Sequence, residues 1–229
     1  MPRQRKARPA RRTRRRFRRK RGAPSMAISK YPSGFPDAMY VKLRYSDTIT
    51  FSATTGTFTS HSYCGNGLYD PDITGVGHQP MMFDQWMTMY ERYLVFAHKV
   101  DVHFTNTTAS NNALVALLLK NVSTLTTNPT TVQERAHAVH RILGPQGTDK
   151  ALGRLSKYSS TASIWGVPKR RLNTTSSDYV GSDTSNPTNK VFIQVGCGDP
   201  LGSVTVTAEA IVNIKYYCVF FRRIAQNPS

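Results

Sequence analysis

Hydrophobic and polar positions alternate with a period of two along most of the chain after residue 36. In "MYVKLRYSDTITF" (39–51), Met39, Val41, Leu43 and Tyr45 fall on one face and Lys42 and Arg44 on the other, which predicts a half-buried strand. "TFTSHSYC" (57–64) alternates in the same way. "YLVFAHKVDVHFTN" (93–106) is longer, with Val100, Val102 and Phe104 set against Asp101 and His103. "ALVALLL" (113–119) is apolar on both faces and far too short to cross a membrane, so it predicts a strand buried on both sides. Further strands are expected near 152–159 and 163–167, at 190–197, and at 203–223. The last is too long for an ordinary strand, so a bulge or bend is expected in it.

Helical spacing is rare. "FDQWMTMYERY" (83–93) offers Asp84 as an N-cap, with Met87, Tyr90 and Glu91 at helical intervals. "TTVQERAHAVHRIL" (130–143) reads as a second helix, in which Thr131 and Glu134 have capping-box spacing. Long Thr-, Ser-, Asn- and Pro-rich segments, notably 172–189, separate the strands. No internal repeat is present. About eight strands with few helices point to an all-β sandwich or jelly roll, and the long loops are more than a minimal sandwich needs.

Charge divides the chain. The formal net charge is +18, and the first 21 residues, "MPRQRKARPARRTRRRFRRKR", hold 13 of the 31 basic side chains and no acid. The remaining 18 basic and 13 acidic groups leave only +5. The arm comprises Arg3, Arg5, Lys6, Arg8, Arg11, Arg12, Arg14, Arg15, Arg16, Arg18, Arg19, Lys20 and Arg21. It is too charged and too poor in apolar residues to fold alone, so disorder is expected when it is free. Such a run binds phosphate backbones by charge, with little regard for sequence, and has the density of a nuclear import signal. It contains no secretory or membrane-inserting stretch. "GAPSMAISKYPSGFP" (22–36), with three prolines and two glycines, reads as a linker. The expected organisation is therefore an arm at 1–21, a linker at 22–36 and a β domain at 37–229.

Candidate chemistry changes little. Cys64, Cys197 and Cys218 lack metal-motif spacing and are expected to be buried free thiols. The sequons at Asn106, Asn121 and Asn173 read as chance matches in a Thr- and Asn-rich chain. His98 and His103, five apart on a strand, face opposite ways and cannot share an ion. His137 and His140 would share a helix face but have no partner at metal spacing. In "DPD", Asp70 and Asp72 could take calcium through oxygen, although Asp-Pro more simply sets a turn that the carboxylate caps. Asp70 with Asp84 could be drawn as an acid–base pair. No hydrolase, zinc-protease or phosphate-loop motif occurs. Neither an enzyme, a metal site nor a cofactor is expected.

"GNGLYDPDITGVGHQPMMFDQWMTMYERY" (65–93), continuing into "LVFAHKVDVHF", resembles capsid proteins of circovirus-like CRESS-DNA viruses, small circular single-stranded DNA viruses that encode a replication initiator. The matching positions run from Asn66, Leu68, Tyr69, Asp70, Pro71 and Asp72 through Thr74, Gly75, Gly77, His78, Gln79 and Pro80 to Phe83, Asp84, Gln85 and Trp86. Outside 65–104 the resemblance is one of pattern. It implies a single eight-stranded viral jelly roll of two packed four-stranded sheets. Strand B would lie at 39–51, C at 57–64, D at 92–106, E at 113–122, F and G within 153–167, H at 190–197 and I at 203–223. It further implies a subunit of the smallest icosahedral shell, whose partners are other copies of itself and a circular single-stranded DNA genome, with nuclear import receptors reading the arm. The implied locations are the virion and, during assembly, the host nucleus.

The aromatic and methionine content of the 65–91 connection then suits contacts between subunits. The candidate interface residues are Tyr69, Asp70, Asp72, His78, Met81, Met82, Phe83, Asp84, Trp86 and Tyr90. The opposing expectation is that Trp86 and Phe83 plug the end of the sandwich. A coat protein of a small single-stranded RNA or satellite virus shares the same physics. A cellular nucleic-acid-binding β domain and a cupin-type enzyme are the other readings, the latter lacking the His/Glu cluster it needs.

Overall fold

The computed structural model describes residues 36–173, 175 and 177–225. In chain order the strands are β1 (Ala38–Ala53), β2 (Phe58–Cys64), β3 (Tyr90–Asn106), β4 (Ala113–Lys120), β5 (Ala138–Leu143), β6 (Leu152–Ser160), β7 (Val180–Gly181), β8 (Phe192–Gly198) and β9 (Val206–Arg223). Three short helices are α1 (Phe83–Met87), α2 (Pro129–Glu134) and α3 (Thr161–Trp165). One sheet has the order β1-β9-β3-β6, with the two-residue β7 pairing on β3; the other has the order β2-β8-β4-β5. Every pairing is antiparallel. Lettered B to I with β7 omitted, the sheets read B-I-D-G and C-H-E-F. The fold is a jelly roll.

The period-two pattern decides what each sheet buries. On β1, Leu43, Tyr45, Phe51 and Ala53 point inward while Lys42 and Arg44 stay exposed. On β9, Val206, Ala208, Ala210, Val212, Ile214 and Tyr216 line the same interior. They meet Val115, Leu117, Ile193 and Val195 from the opposite sheet in one continuous core. Each Val, Leu or Ile among them contributes roughly 1.5–3 kcal/mol by leaving water. β4 is buried at all eight positions. Its outward Ala116 and Leu118 pack with Phe58 under Val132 of α2, which explains a run that is apolar on both faces.

Several expectations are corrected. The helix expected over 130–143 stops at Glu134, and 138–143 is strand F. Asn128, not the Thr131/Glu134 box, caps it by accepting from the N–H groups of Thr130 and Thr131, and Pro129 opens the first turn. Arg135 is already extended, and the ladder from Ala113↔Leu143 to Leu118↔Ala138 outcompetes further helix. His137 therefore lies in a turn and His140 on β5, without a shared helix face. F and G do not both fall within 153–167: G is β6, and 161–165 is α3, capped by the Ser160 hydroxyl and ended by Gly166 at φ 65°.

Asp84 does not cap α1; Met82, at φ 72°, precedes it. Finally, β9 pairs with β1 without a break from Val206 to Phe221; its own irregularity is confined to its end, at Arg222 (φ 56°), and the register shift lies in β3, where Phe96 is the extra residue between Val95 and Ala97.

Candidate interface and its polar framework

The connection between β2 and β3 is anchored by side chains rather than by helix or sheet. Residues 71–73 first fold back along the end of β2: Cys64 N–H donates to the Pro71 carbonyl at 2.7 Å, and Tyr63 bridges Asp72. Asn66 is fully buried, giving its amide to the Asn189 carbonyl at 2.8 Å and accepting from Val191 N–H at 2.7 Å. Asn186 grips the next turn. It accepts from Asp70 N–H at 3.2 Å and from the Tyr93 hydroxyl at 3.1 Å, and it donates to the Asp70 carbonyl at 2.7 Å. The Tyr93 hydroxyl in turn accepts from Leu68 N–H at 3.0 Å. Gly67 is required beside this clasp, because a Cβ there would lie 2.4 Å from the Asn186 amide oxygen.

A second cluster holds the outer turn. The buried Asp72 carboxylate accepts from the Thr74 N–H at 3.0 Å, the Thr74 hydroxyl at 2.8 Å and the His61 ring at 2.8 Å. Burial alone would raise this carboxyl. The two Thr74 bonds and the His61 ring outweigh burial and hold it below its ordinary value. Nearby, Asp47 accepts the Tyr63 hydroxyl at 2.7 Å. Burial, then this bond to a carboxylate, pushes the Tyr63 phenol far up. The turn expected at "DPD" is thus capped by Asp72, whereas Asp70 is held through its backbone.

Among the described residues, one group of three could hold a cation: one ligand atom each from Asp47, His61 and Asp72, all within 4.8 Å of one another. As arranged, each of these side chains is engaged in hydrogen bonds within the chain.

The candidate interface residues divide into two sets. Phe83 and Tyr90 are inside the core, 1 % and 0 % exposed, and Asp72 is buried as well. These three support the connection rather than present it: Phe83 and Tyr90 cover the sheet end at Phe220, and Asp72 holds the turn through Thr74 and His61. Trp86 is half-buried and stacks on Phe220, with ring centroids 5.7 Å apart. The outward set is Tyr69, His78, Met81, Met82 and Asp84, with Asp70 partly covered. Met81 is 80 % exposed and Met82 52 %. His78 lies stacked over Tyr45, centroids 4.6 Å apart.

Sequence reasoning missed Asn186, since an amide in a Ser/Thr/Asn-rich loop carries no distinguishing signal, and it placed Asn66 in the family-like segment without its anchoring role. It also missed a buried network across the second sheet. There, Lys120 donates to Gln194 at 2.5 Å, and Gln194 reaches Ser60 at 2.6 Å and Thr126. Burial, with Arg135 nearby, brings the Lys120 ammonium down to about 8. The three cysteines are free and buried, and burial raises Cys64 to about 11 and Cys197 and Cys218 to about 12. His98 is buried and His103 exposed, so they do not meet. The thirteen basic residues of the arm lie outside the described residues. Among the described residues no helix is long and apolar enough to cross a membrane.

No family model and no curated protein sequence matches the chain. Among solved structures, it is similar to a chain of Desmodium yellow mottle tymovirus at 12% identity and TM-score 0.40, covering 90% of this chain and 100% of that one. A chain of the empty head of turnip yellow mosaic virus matches at 10% identity and TM-score 0.42, over 90% and 92%. A chain of mud crab tombus-like virus matches at 11% identity and TM-score 0.40, over 97% and 96%.

Proposed function

We propose that this chain is a viral coat protein whose jelly roll assembles into a small icosahedral shell and whose basic arm packages a circular single-stranded DNA genome. One combination carries the reading: a B-I-D-G/C-H-E-F jelly roll preceded, across the linker, by 13 Arg and Lys within 21 residues. A jelly roll alone also suits lectins and cupins. The arm adds a partner with a phosphate backbone, and the outward methionines and Tyr69 add a surface for another copy. DNA rather than RNA is favoured by the resemblance over 65–104, and nuclear import by the arm's density of cations. A shell of about sixty copies would carry roughly 780 arm charges against one negative charge per nucleotide, enough to offset a large part of a small genome.

Negative-stain microscopy of the purified protein tests this, with extraction of the contents and digestion by DNase or RNase. Closed particles holding nuclease-protected single-stranded DNA are expected. A monodisperse monomer with and without nucleic acid overturns the shell, and RNA contents in particles purified from the infected host overturn the DNA genome.

A further inference from the structure

The outward face of the β1-β9-β3-β6 sheet carries an arrangement that the shell reading does not explain. Strand register places Arg44 opposite Lys215, and Lys215 opposite Lys99, so three cations stand abreast on adjacent strands. The same row ends in Tyr158, which pairs with Lys99. Like charges directly opposite one another destabilise a sheet. Asp101, one row on, receives Lys99 at 3.1 Å and Arg154 at 2.6 Å, whereas among the described residues Arg44 and Lys215 make no ion pair.

Beside the cations lies a chain of rings. Tyr40 meets Phe96 at 6.2 Å, Phe96 meets Tyr217 at 6.5 Å, and Tyr217 meets Tyr158 at 5.8 Å. Lys42 sits 5.7 Å from the Tyr217 ring centre. Tyr40 is 75 % exposed and Tyr158 60 %, which is unusual for rings already gathered into a cluster. The β3 irregularity is part of the arrangement: the extra residue is Phe96 itself, and its ring packs between those of Tyr40 and Tyr217. Two shallow clefts flank these rings. One of about 250 Å³ lies between Phe96, Tyr158 and Lys169; the other, of about 360 Å³, lies between Tyr40, Phe96 and Leu172.

We infer that this face is a second binding surface for single-stranded nucleic acid, stacking unpaired bases on Tyr40 and Tyr158 while Lys42, Arg44, Lys99 and Lys215 hold the phosphates. Exposed rings interleaved with cations are the two parts that single-strand binding combines, and base stacking asks little of sequence. Duplex, with its bases already stacked inside, is excluded from the rings. The inference rests on the nucleic-acid reading above. It adds that bases, and not phosphates alone, are recognised.

The test uses the full chain and three oligonucleotides of equal length: oligo-dT, oligo-U and an abasic deoxyribose strand with the same phosphates. The parent protein should prefer both base-bearing strands over the abasic strand, and the preference should persist at high salt, where the arm's contribution fades. Tyr40→Ala with Tyr158→Ala should weaken binding to the base-bearing strands by about tenfold or more, leave abasic binding and the salt slope unchanged, and leave the melting temperature nearly intact. Arg44→Gln with Lys215→Gln should instead flatten the salt slope by about 1.4. Equal affinity of the parent for abasic and base-bearing strands would overturn the ring surface while leaving arm packaging standing. Tyrosine variants that bind normally but fail to assemble would overturn it too, identifying the face as a contact between copies.

Discussion

Trp86 lies nearly parallel to Phe220, with the planes inclined by 21° and the centroids 5.7 Å apart. Phe220 is fully buried, and Phe83, Tyr90 and Tyr93 crowd its other sides at 6.3–6.5 Å. The half-buried indole therefore closes the end of the sandwich. Trp86→Ala should cost about 2 kcal/mol, below the range for a fully buried ring, measured as a shift in the urea midpoint of unassembled subunit. Met81→Ser with Met82→Ser should leave that midpoint within about 0.5 kcal/mol and reduce particle yield in sedimentation. Normal particle yield from the serine pair would show that these methionines meet no neighbour.

Asn186 serves three partners at once, the Asp70 N–H, the Asp70 carbonyl and the Tyr93 hydroxyl. Asn186→Ala leaves them without it and should lower stability by about 1–3 kcal/mol. Amide exchange should accelerate at Leu68 and Asp70 first, since the Tyr93 hydroxyl loses its fixed orientation. Unchanged exchange there would mean that the Asn66 anchor alone holds the connection.

Burial depresses the His98 imidazole to about 4. The Gly65 backbone beside the ring opposes this slightly, though without hydrogen-bonding geometry, and neither ring nitrogen has a partner among the described residues. The unfolded chain binds its proton near 6.5. His98 is therefore neutral in both states above that pH and contributes no penalty. As the pH falls from 6.5 to 4 the unfolded state alone takes up the proton, and stability drops by up to about 1.4 kcal/mol per unit, about 3 kcal/mol in all. Chemical denaturation across that window should show this slope, and His98→Leu should remove it while changing little at pH 7. The depressed Asp72 and Asp101 carboxyls act lower down, their contribution being lost as the pH falls below the usual carboxylate range.

Deleting residues 1–21 removes 13 cations and, past Met1, only one large apolar side chain, Phe17. The limiting salt slope on a single strand, about −0.7 × 13 ≈ −9 for one free arm, should become much shallower, with the melting temperature of the jelly roll unchanged. A fusion of residues 1–25 to a cytoplasmic reporter should enter the nucleus; a reporter that stays behind would leave packaging as the arm's sole task.

What could be read beforehand followed from how local the signal was. β1, β3 and β9 announce themselves because each carries enough alternating positions to specify one buried face. β5 did not, since Ala138, Val139 and Leu143 fit a helix as well as an edge strand, and only the distant β4 ladder decides between them. Phe83 and Tyr90 looked like interface aromatics because the ring they pack on, Phe220, lies more than a hundred residues later. The Asp47, His61 and Asp72 cluster was invisible for the same reason, being assembled from β1, β2 and the following loop. The cation row on the sheet face needed strand register, which no alternation pattern supplies.

In each sheet a late strand holds a central place. β9 lies between β1 and β3, and β8 lies between β2 and β4. While the chain is being synthesised, β1 and β3 have no common neighbour, and neither do β2 and β4, until residues beyond 190 have emerged. The first pairing of β1, Ala38 with Phe221, spans almost the whole domain. Contacts so distant in sequence form slowly. A half-made subunit therefore has two split sheets with open edges and cannot offer a finished surface to a neighbour. If the chain assembles as proposed, the order of the strands would make completion of the polypeptide a timing gate on that assembly, with ribosome-bound and C-terminally truncated chains left to aggregate or be degraded.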